Sequence, residues 1–485
     1  MSLTFFWHDY ETFGIDTRRD APAQFAGIRT DAELNELGEP VMLYCKPPRD
    51  ALPDPDSCLI TGLTPQLCEA RGLGEAAFAQ AVLDELGRSG TIGAGYNSLG
   101  FDDEVTRHLF WRNLIDPYGR EWQNHCSRWD LFNVVRCAFA LRPEGIQWPS
   151  KEDGRPSLKL EHLAAANGLQ HEAAHDALSD VRATIALARL VRQQQPKLFD
   201  YCLGLRDKQA VKAVVGGFGA QRQPFLHVSG RLGPQQGYTA VVWPLAMHPS
   251  NANEVLVWDL AQDPQQLLGL SADDIRSRLF ARREDLPEGV SRLPIKSIHI
   301  NQSPVVIKNL ATLRQTRATH WGIDVGQALR HAQAALAQAE AFDAVPWAGV
   351  FSREPRAEDA HLDAEQTLYA GAFLSNNDRR ALERLRQQPA QALARIRTAL
   401  EDPRLDELLL RYRARNWPET LDEEEREQWL NHCRARLLQG KGGHRTVGQV
   451  LARIDELAEE RLAAGDERGQ VVLEALVDWV EALVP

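Results

Sequence analysis

The chain has 485 residues, 44% hydrophobic and 25% charged, with a formal net charge of −12. That size and balance predict a soluble protein of several domains. They exclude a surface coated in positive charge, although a local basic track for nucleic acid stays open. No apolar run approaches the ~20 residues that span a bilayer, and the N-terminal stretch lacks the basic region of a signal peptide. Seven scattered cysteines without a C-x-x-C pair argue against a disulfide framework and a structural zinc site. A cytoplasmic protein is expected.

In chain order, strand-like and helical runs alternate up to about Gln195. "LTFFWHDY", "PVMLYCKP" and "TIGAGYN" read as strands, and "DLFNVVRCAFAL" and "ALSDVRATIALARLVRQ" as helices. Such alternation predicts an α/β layered domain over residues 1–195. From about Pro196 to Val350 the texture is β-rich, with "PFLHVSG", "YTAVVWPLA", "EVLVWDL" and "SPVVIKNL" separated by turns, which predicts a small barrel or sandwich. Residues 351–485 read as helical, broken near Pro403 and Pro418.

The first strand carries Asp9 and Glu11, two residues apart and so on one face. Buried together they repel unless positive charge lies between them; on an edge strand they would sit in water. "NSLGFDDEV" places Asp102 and Asp103 before a helix expected to begin near Glu104, where either can serve as an N-cap. In "AAHDALSDV", Asp176 reads as an N-cap, with His175 on the loop before it and Asp180 in the first turn. Each motif alone has a sufficient structural explanation.

Their order, D-x-E-T then N-x-x-x-F-D then H-x-A-x-x-D, resembles the DEDDh exonuclease superfamily. "HDYETFG", "LITGLTPQ", "GYNSLGFDDEVTRHLFWRN", "ALRPEGIQWP", "AHDALSDV", "HVSGRLG" and "RYRARNWP" resemble the bacterial exodeoxyribonuclease I family across nearly the whole chain. The resemblance implies a ribonuclease H-like α/β exonuclease domain, an SH3-like β-barrel domain and an all-α C-terminal domain. It also implies 3′→5′ degradation of single-stranded DNA to 5′-mononucleotides, in DNA repair and recombination. Asp9, Glu11, Asp102, His175 and Asp180 are then the catalytic set, because the superfamily motif places its acid immediately after Phe. The four carboxylates would hold two divalent cations, Mg²⁺ or Mn²⁺, about 3.5–4 Å apart, whose charge offsets their repulsion. His175 suits a general base, and Glu11 is expected beside the terminal 3′-hydroxyl as well.

Basic and aromatic residues interleave between Arg107 and Trp129, a pattern suited to phosphates and stacked bases. Trp111 and Trp129 are the residues there most expected in the core. The resemblance assigns strand contacts to Arg107, Tyr118, Trp122, Arg136 and Lys159, and to Lys296, His299 and Asn301 in the second region. It also implies a monomer recruited by the acidic C-terminal tail of single-strand DNA-binding protein, with Arg142, Tyr201 and Arg314 as candidate contacts. A ribonuclease of the same superfamily would not need the second and third regions, and an inert adaptor would not need all five catalytic residues.

Overall fold

The structure is a computed structural model and describes residues 3–169, 176–352, 363–393 and 400–483. The chain begins with β1 (Thr4–Thr12), β2 (Pro22–Thr30) and β3 (Val41–Tyr44). Helices α1 (Pro55–Thr61), α2 (Pro65–Arg71) and α3 (Glu75–Leu86) follow, then β4 (Thr91–Gly95) and α4 (Asp102–Arg112). Proline opens α1 and α2 behind Asp54 and Thr64, whose side chains accept first-turn amide N–H groups. Next come β5 (Ser127–Asp130), α5 (Leu131–Leu141), α6 (Leu160–Ala166), α7 (Ala177–Gln194), α8 (Pro196–Gly204) and α9 (Lys208–Val215). The following section holds β6 (Phe225–Val228), β7 (Thr239–His248), β8 (Asn251–Asp259), α10 (Ala272–Phe280), β9 (Ile295–His299) and β10 (Val305–Ile307). Helices α11 (Gln315–His320), α12 (Val325–Leu336), α13 (Ala339–Asp343) and α14 (Trp347–Val350) follow. The rest is helical: α15 (Asn376–Arg386), α16 (Ala390–Leu393), α17 (Arg404–Asn416), α18 (Glu423–Gln439), α19 (Val447–Ala464) and α20 (Glu467–Leu483).

The chain divides into two compact units, one of residues 1–127, 171–185 and 356–485, the other of 128–170 and 186–355. In the first, strands lie in the order β3-β2-β1-β4, with β2 antiparallel to β1 and β3, and β4 parallel to β1. The β1 strand is therefore central up to Trp7, and beyond it only β2 pairs with β1, yet Glu11 is buried and Asp9 half-buried rather than standing in open water. One face packs Phe6, Tyr10 and Phe25 against Phe78, Val82, Val105 and Leu109 from α3 and α4. A second core joins Phe13, Ala23, Cys58 and Cys68 to Ile454, Leu476 and Val480 of α19 and α20. The C-terminal helices thus share apolar surface with the α/β layers. They share charge as well: buried Asp50 accepts from Arg415 Nε at 3.0 Å and Arg436 Nη1 at 2.6 Å. Arg436 also reaches Asp363 and Glu365, both at 2.9 Å.

The second unit contains an antiparallel sheet in the order β10-β6-β7-β8-β9. Within residues 196–350 the strands run from Phe225 to Ile307, with helices before and after them in the chain. Alanine-rich "VGQALRHAQAAL" forms α12, as its helix propensity demands. In the first unit, β2 carried no alternation of apolar and polar residues to mark it, since its first seven positions are all buried. Trp111 and Trp129 are in the core, donating to the Ala364 and Cys202 carbonyls.

Candidate active site

Asp9 and Glu11 stand opposite Ala26 and Gln24 of β2. The parallel ladder with β4 ends at Trp7 and Ala94, so β1 runs on past its neighbour. Beyond that point the Tyr10 amide N–H is taken by Asp102 Oδ1 at 3.0 Å. Asp102 is the first residue of α4, which begins two residues before the expected Glu104. Neither aspartate caps the helix: Phe101 holds the N-cap position without a side-chain bond, and the Asp102 carboxylate turns to β1 instead. Thr106 braces the arrangement by donating to the Asp102 carbonyl at 2.8 Å, which leaves its oxygen to accept from the Tyr10 hydroxyl at 3.1 Å.

The next residue has another fate. Asp103 is buried and forms an ion pair with buried Arg120. Charge neutralised in this way is not available to a cation, so the two adjacent aspartates separate into one beside the acids of β1 and one in a structural pair.

Asp180 arrives from the first turn of α7. Asp176 precedes the helix and accepts the Ser179 amide N–H at 3.2 Å, the expected N-cap bond. Gln24 Oε1 accepts the Ala177 amide N–H at 3.3 Å, tying the start of α7 to β2. One oxygen each from Asp9, Glu11 and Asp180 lies within 4.8 Å of the others. His175 lies outside the described residues.

The electrostatics follow from this crowding. Burial, then Asp102, Glu11, Asp180 and Asp176, push the Asp9 carboxyl well above the usual carboxylate range. Burial, then Asp180 and Asp176, push Glu11 up to about 8. A divalent cation reverses this penalty by supplying the missing positive charge. The donors are all carboxylate oxygens, which fit hard cations such as Mg²⁺ or Mn²⁺ better than thiophilic ones. All seven cysteines are buried and free.

A cavity of ≈ 420 Å³ adjoins the cluster, lined by Gln24, Tyr44, Leu59, Leu63, Asp176 and Arg468 among others. Sequence reasoning missed Gln24 and the part Asp176 plays in raising its neighbours. Neither has a motif signal, since both depend on the pairing of β2 with β1 and on where α7 starts.

The expected strand contacts divide between the units. In the first, Arg107 is buried and engaged by Glu121 at 2.7 Å and Glu104 at 2.6 Å, so its guanidinium is already neutralised. Its charge lies over the Tyr118 ring, 5.2 Å from the centroid, and Tyr118 pairs edge-on with exposed Phe373. Trp122 is 60% exposed. In the second unit, Arg136 covers the Phe132 ring and donates to Asn133, and Lys159 is an exposed residue preceding α6, paired with Glu161 at 3.0 Å. Lys296 and His299 belong to β9 and Asn301 to the exposed turn after it. His299 lines a cavity of ≈ 120 Å³ together with Asn133, His227 and Arg231.

The three partner candidates also lie in the second unit. Arg142 donates to the Thr312 carbonyl at 2.8 Å, and burial followed by the Arg314 charge lowers its pKa. Arg314 pairs with Glu144 at 3.2 Å, and exposed Tyr201 donates to the Val306 carbonyl at 2.7 Å.

Three sequence families match the chain: Exonuclease over residues 6–188, Exonuclease I SH3-like domain over 206–353, and Exonuclease I C-terminal domain over 362–483. Exodeoxyribonuclease I of Escherichia coli (strain K12) is 45% identical over 432 residues, covering 89% of each chain. The crystal structure of E. coli exonuclease I in complex with a dA16 oligonucleotide superposes with a TM-score of 0.91 at 41% identity, covering 99% of this chain and 100% of that one. A crystal structure of SSB/exonuclease I in complex with an inhibitor gives 0.89 at 40% identity, covering 100% of both chains. An α/β exonuclease section, an SH3-like β section and a helical C-terminal section therefore succeed one another. With a central strand that gathers carboxylates and a relative this similar along nearly its whole length, the chain belongs to the exonuclease I family.

Proposed function

We propose that the protein degrades single-stranded DNA from the 3′ end, releasing 5′-mononucleotides, and serves DNA repair and recombination in the cytoplasm as a monomer. The observation that carries this reading is the convergence of Asp9, Glu11 and Asp180 beside Asp102 on a central strand. The relative solved with an oligonucleotide supports the substrate class. Asp9, Glu11, Asp102 and Asp180 would hold two cations, Mg²⁺ with Mn²⁺ as a substitute. Such cations supply positive charge beside the scissile phosphate and lower the pKa of water toward neutrality.

The chain's own groups then have separate tasks. Asp102 keeps its carboxylate in place through the Tyr10 amide, and Glu11 would also accept from a terminal 3′-hydroxyl. His175, immediately before the N-cap of α7, would take the proton from the attacking water. The cavity beside Gln24 offers Leu59 and Leu63 to the terminal base. Exposed Trp122 and half-buried Tyr118 would stack on bases further along the strand, and Arg136, Lys159, Lys296, His299 and Asn301 would supply further strand contacts. Arg107 positions Tyr118 rather than gripping phosphate, because Glu104 and Glu121 already engage it.

The solved SSB/exonuclease I complex supports a tail of single-strand DNA-binding protein as partner, with Arg142 and Arg314 for its carboxylates and Tyr201 for its apolar end. The test of the activity is 5′-labelled single-stranded DNA beside duplex DNA and RNA, each with Mg²⁺ and with EDTA. A ladder shortening from the 3′ end on single-stranded DNA alone, and only with metal, is expected; equal degradation of RNA would overturn the substrate assignment.

A further inference from the structure

The first unit contains a cavity of ≈ 450 Å³ that shares no residue with the acid cluster. Its walls come from the end of α3, the segment after α4, and α15. Topology separates it from the cluster. Gly87 and Arg88 precede β4, whose first residue Thr91 pairs with Thr4, and Asp9 and Glu11 lie five and seven residues further along β1. At ~3.3 Å per residue that is about 17–23 Å. The path along α4 from Asp102 to its end, roughly 15 Å at 1.5 Å per residue, leads to the same wall.

Arginines from all three elements converge there: Arg88, Arg120, Arg379, Arg380 and Arg386. Arg88 pairs with Glu85 at 2.6 Å and buried Arg120 with Asp103, so the guanidinium positions still open belong to the three arginines of α15. Arg386 gives Nη1 to the neutral Gln80 side chain at 2.7 Å, and its Nε has no acceptor among the described residues. Arg379 meets Asp116 at 3.0 Å through Nε, and Nη1 donates to Asn376. Arg380, one residue along, is exposed and forms no ion pair among the described residues. Asp84, Asp116 and Glu383 share the walls, so the cavity is not a uniformly positive patch. Leu83, Leu114 and Ile115 add an apolar surface.

We propose that this cavity binds a free nucleoside monophosphate. A phosphate monoester presents several oxygens to the guanidinium forks of Arg379, Arg380 and Arg386. The apolar wall offers a face to the base, and the carboxylates accept from sugar hydroxyls and exocyclic amines. Inorganic phosphate would leave most of the volume empty, whereas ligand pockets of about 300–1,000 Å³ suit nucleotide-sized molecules. Binding there does not depend on the nuclease reading.

Calorimetric titration of the full chain in EDTA tests it, since without metal the clustered carboxylates repel phosphate. The expected result is one dAMP per chain, with adenosine and inorganic phosphate each at least about tenfold weaker. Arg380→Gln and Arg386→Gln should each weaken dAMP binding by about tenfold or more, the scale of one charge-assisted hydrogen bond. Arg380 is exposed, so that variant keeps the test independent of folding. Asp9→Asn should leave dAMP affinity as it was. No dAMP binding at millimolar concentration, phosphate binding as tightly as dAMP, or unchanged affinity in both arginine variants would overturn the proposal. Tighter binding of a 5′-phosphorylated oligonucleotide than of dAMP would overturn it too, in favour of a strand end.

Discussion

Removing one carboxylate from the acid cluster should stabilise the metal-free protein, and the structure sets the scale. Glu11 is shifted from an ordinary 4.5 to about 8, chiefly by burial and then by Asp180 and Asp176. Its folded-state value is the higher one. Its contribution is therefore most favourable below pH 4.5 and is lost as the pH rises through 8. At ~1.36 kcal/mol per tenfold change in proton affinity, the full loss is about 5 kcal/mol above pH 8, and about 3 kcal/mol at pH 7. Asp9 is raised by Asp102 and Glu11 as well as by Asp180 and Asp176 and stays crowded without Glu11, so replacing Glu11 alone recovers part of this, about 1–3 kcal/mol. With an unfolding entropy of roughly 2 cal/mol/K per residue, Glu11→Gln should raise Tm by about 1–3 °C if the whole chain unfolds together. The assay is thermal unfolding of parent and variant in EDTA from pH 5 to 8.5, repeated with Mg²⁺. In EDTA the Tm difference should grow with pH; saturating Mg²⁺ should stabilise the parent more and reduce or reverse it. A variant that melts lower than the parent in EDTA at pH 8, or a difference independent of pH, would refute the reasoning.

The neighbouring aspartates should part company: Asp102→Asn should abolish strand hydrolysis with little change in Tm, whereas Asp103→Asn should cost about 3–5 kcal/mol by stranding buried Arg120, measured by urea unfolding. Asp50→Asn should destabilise the chain by a similar ~3–5 kcal/mol, because Arg415 and Arg436 lose their shared partner. The Asp50 carboxyl is held well below its usual range, so its stabilisation is present at neutral pH and should fade only as strong acid is approached, which acid unfolding of parent and variant would show. Trp122→Ala should weaken binding of a labelled single strand in EDTA by about 1–3 kcal/mol, read by fluorescence anisotropy. Arg314→Ala should weaken a tail peptide of single-strand DNA-binding protein without altering peptide-free nuclease activity.

Local chemistry made much of the fold legible in the sequence. Aromatic and β-branched runs marked β1, β4, β6 and β7, and "HDALSDV" marked both the N-cap Asp176 and the first-turn position of Asp180. The two-residue period of a strand was enough to put Asp9 and Glu11 on one face. What a short stretch cannot carry is the identity of its neighbours. Whether the acids of β1 stand in water or are covered depends on β2, α4 and α7, and that packing turns an acceptable pair of exposed acids into a costly crowded one. The same limit applies to "FDDE": the two aspartates have one local context, and only Tyr10 above one and Arg120 beside the other separate their roles. The Glu121 partner of Arg107, fourteen residues away in the chain, was likewise hidden from the sequence, because it comes into contact only after the loop past α4 folds back. Residue type and spacing are local properties, so sequence alone determined which side chains could hold metal or stack on bases. Burial and charge pairing depend on segments far apart in the chain, so tertiary structure alone decided which of them are buried or ion-paired.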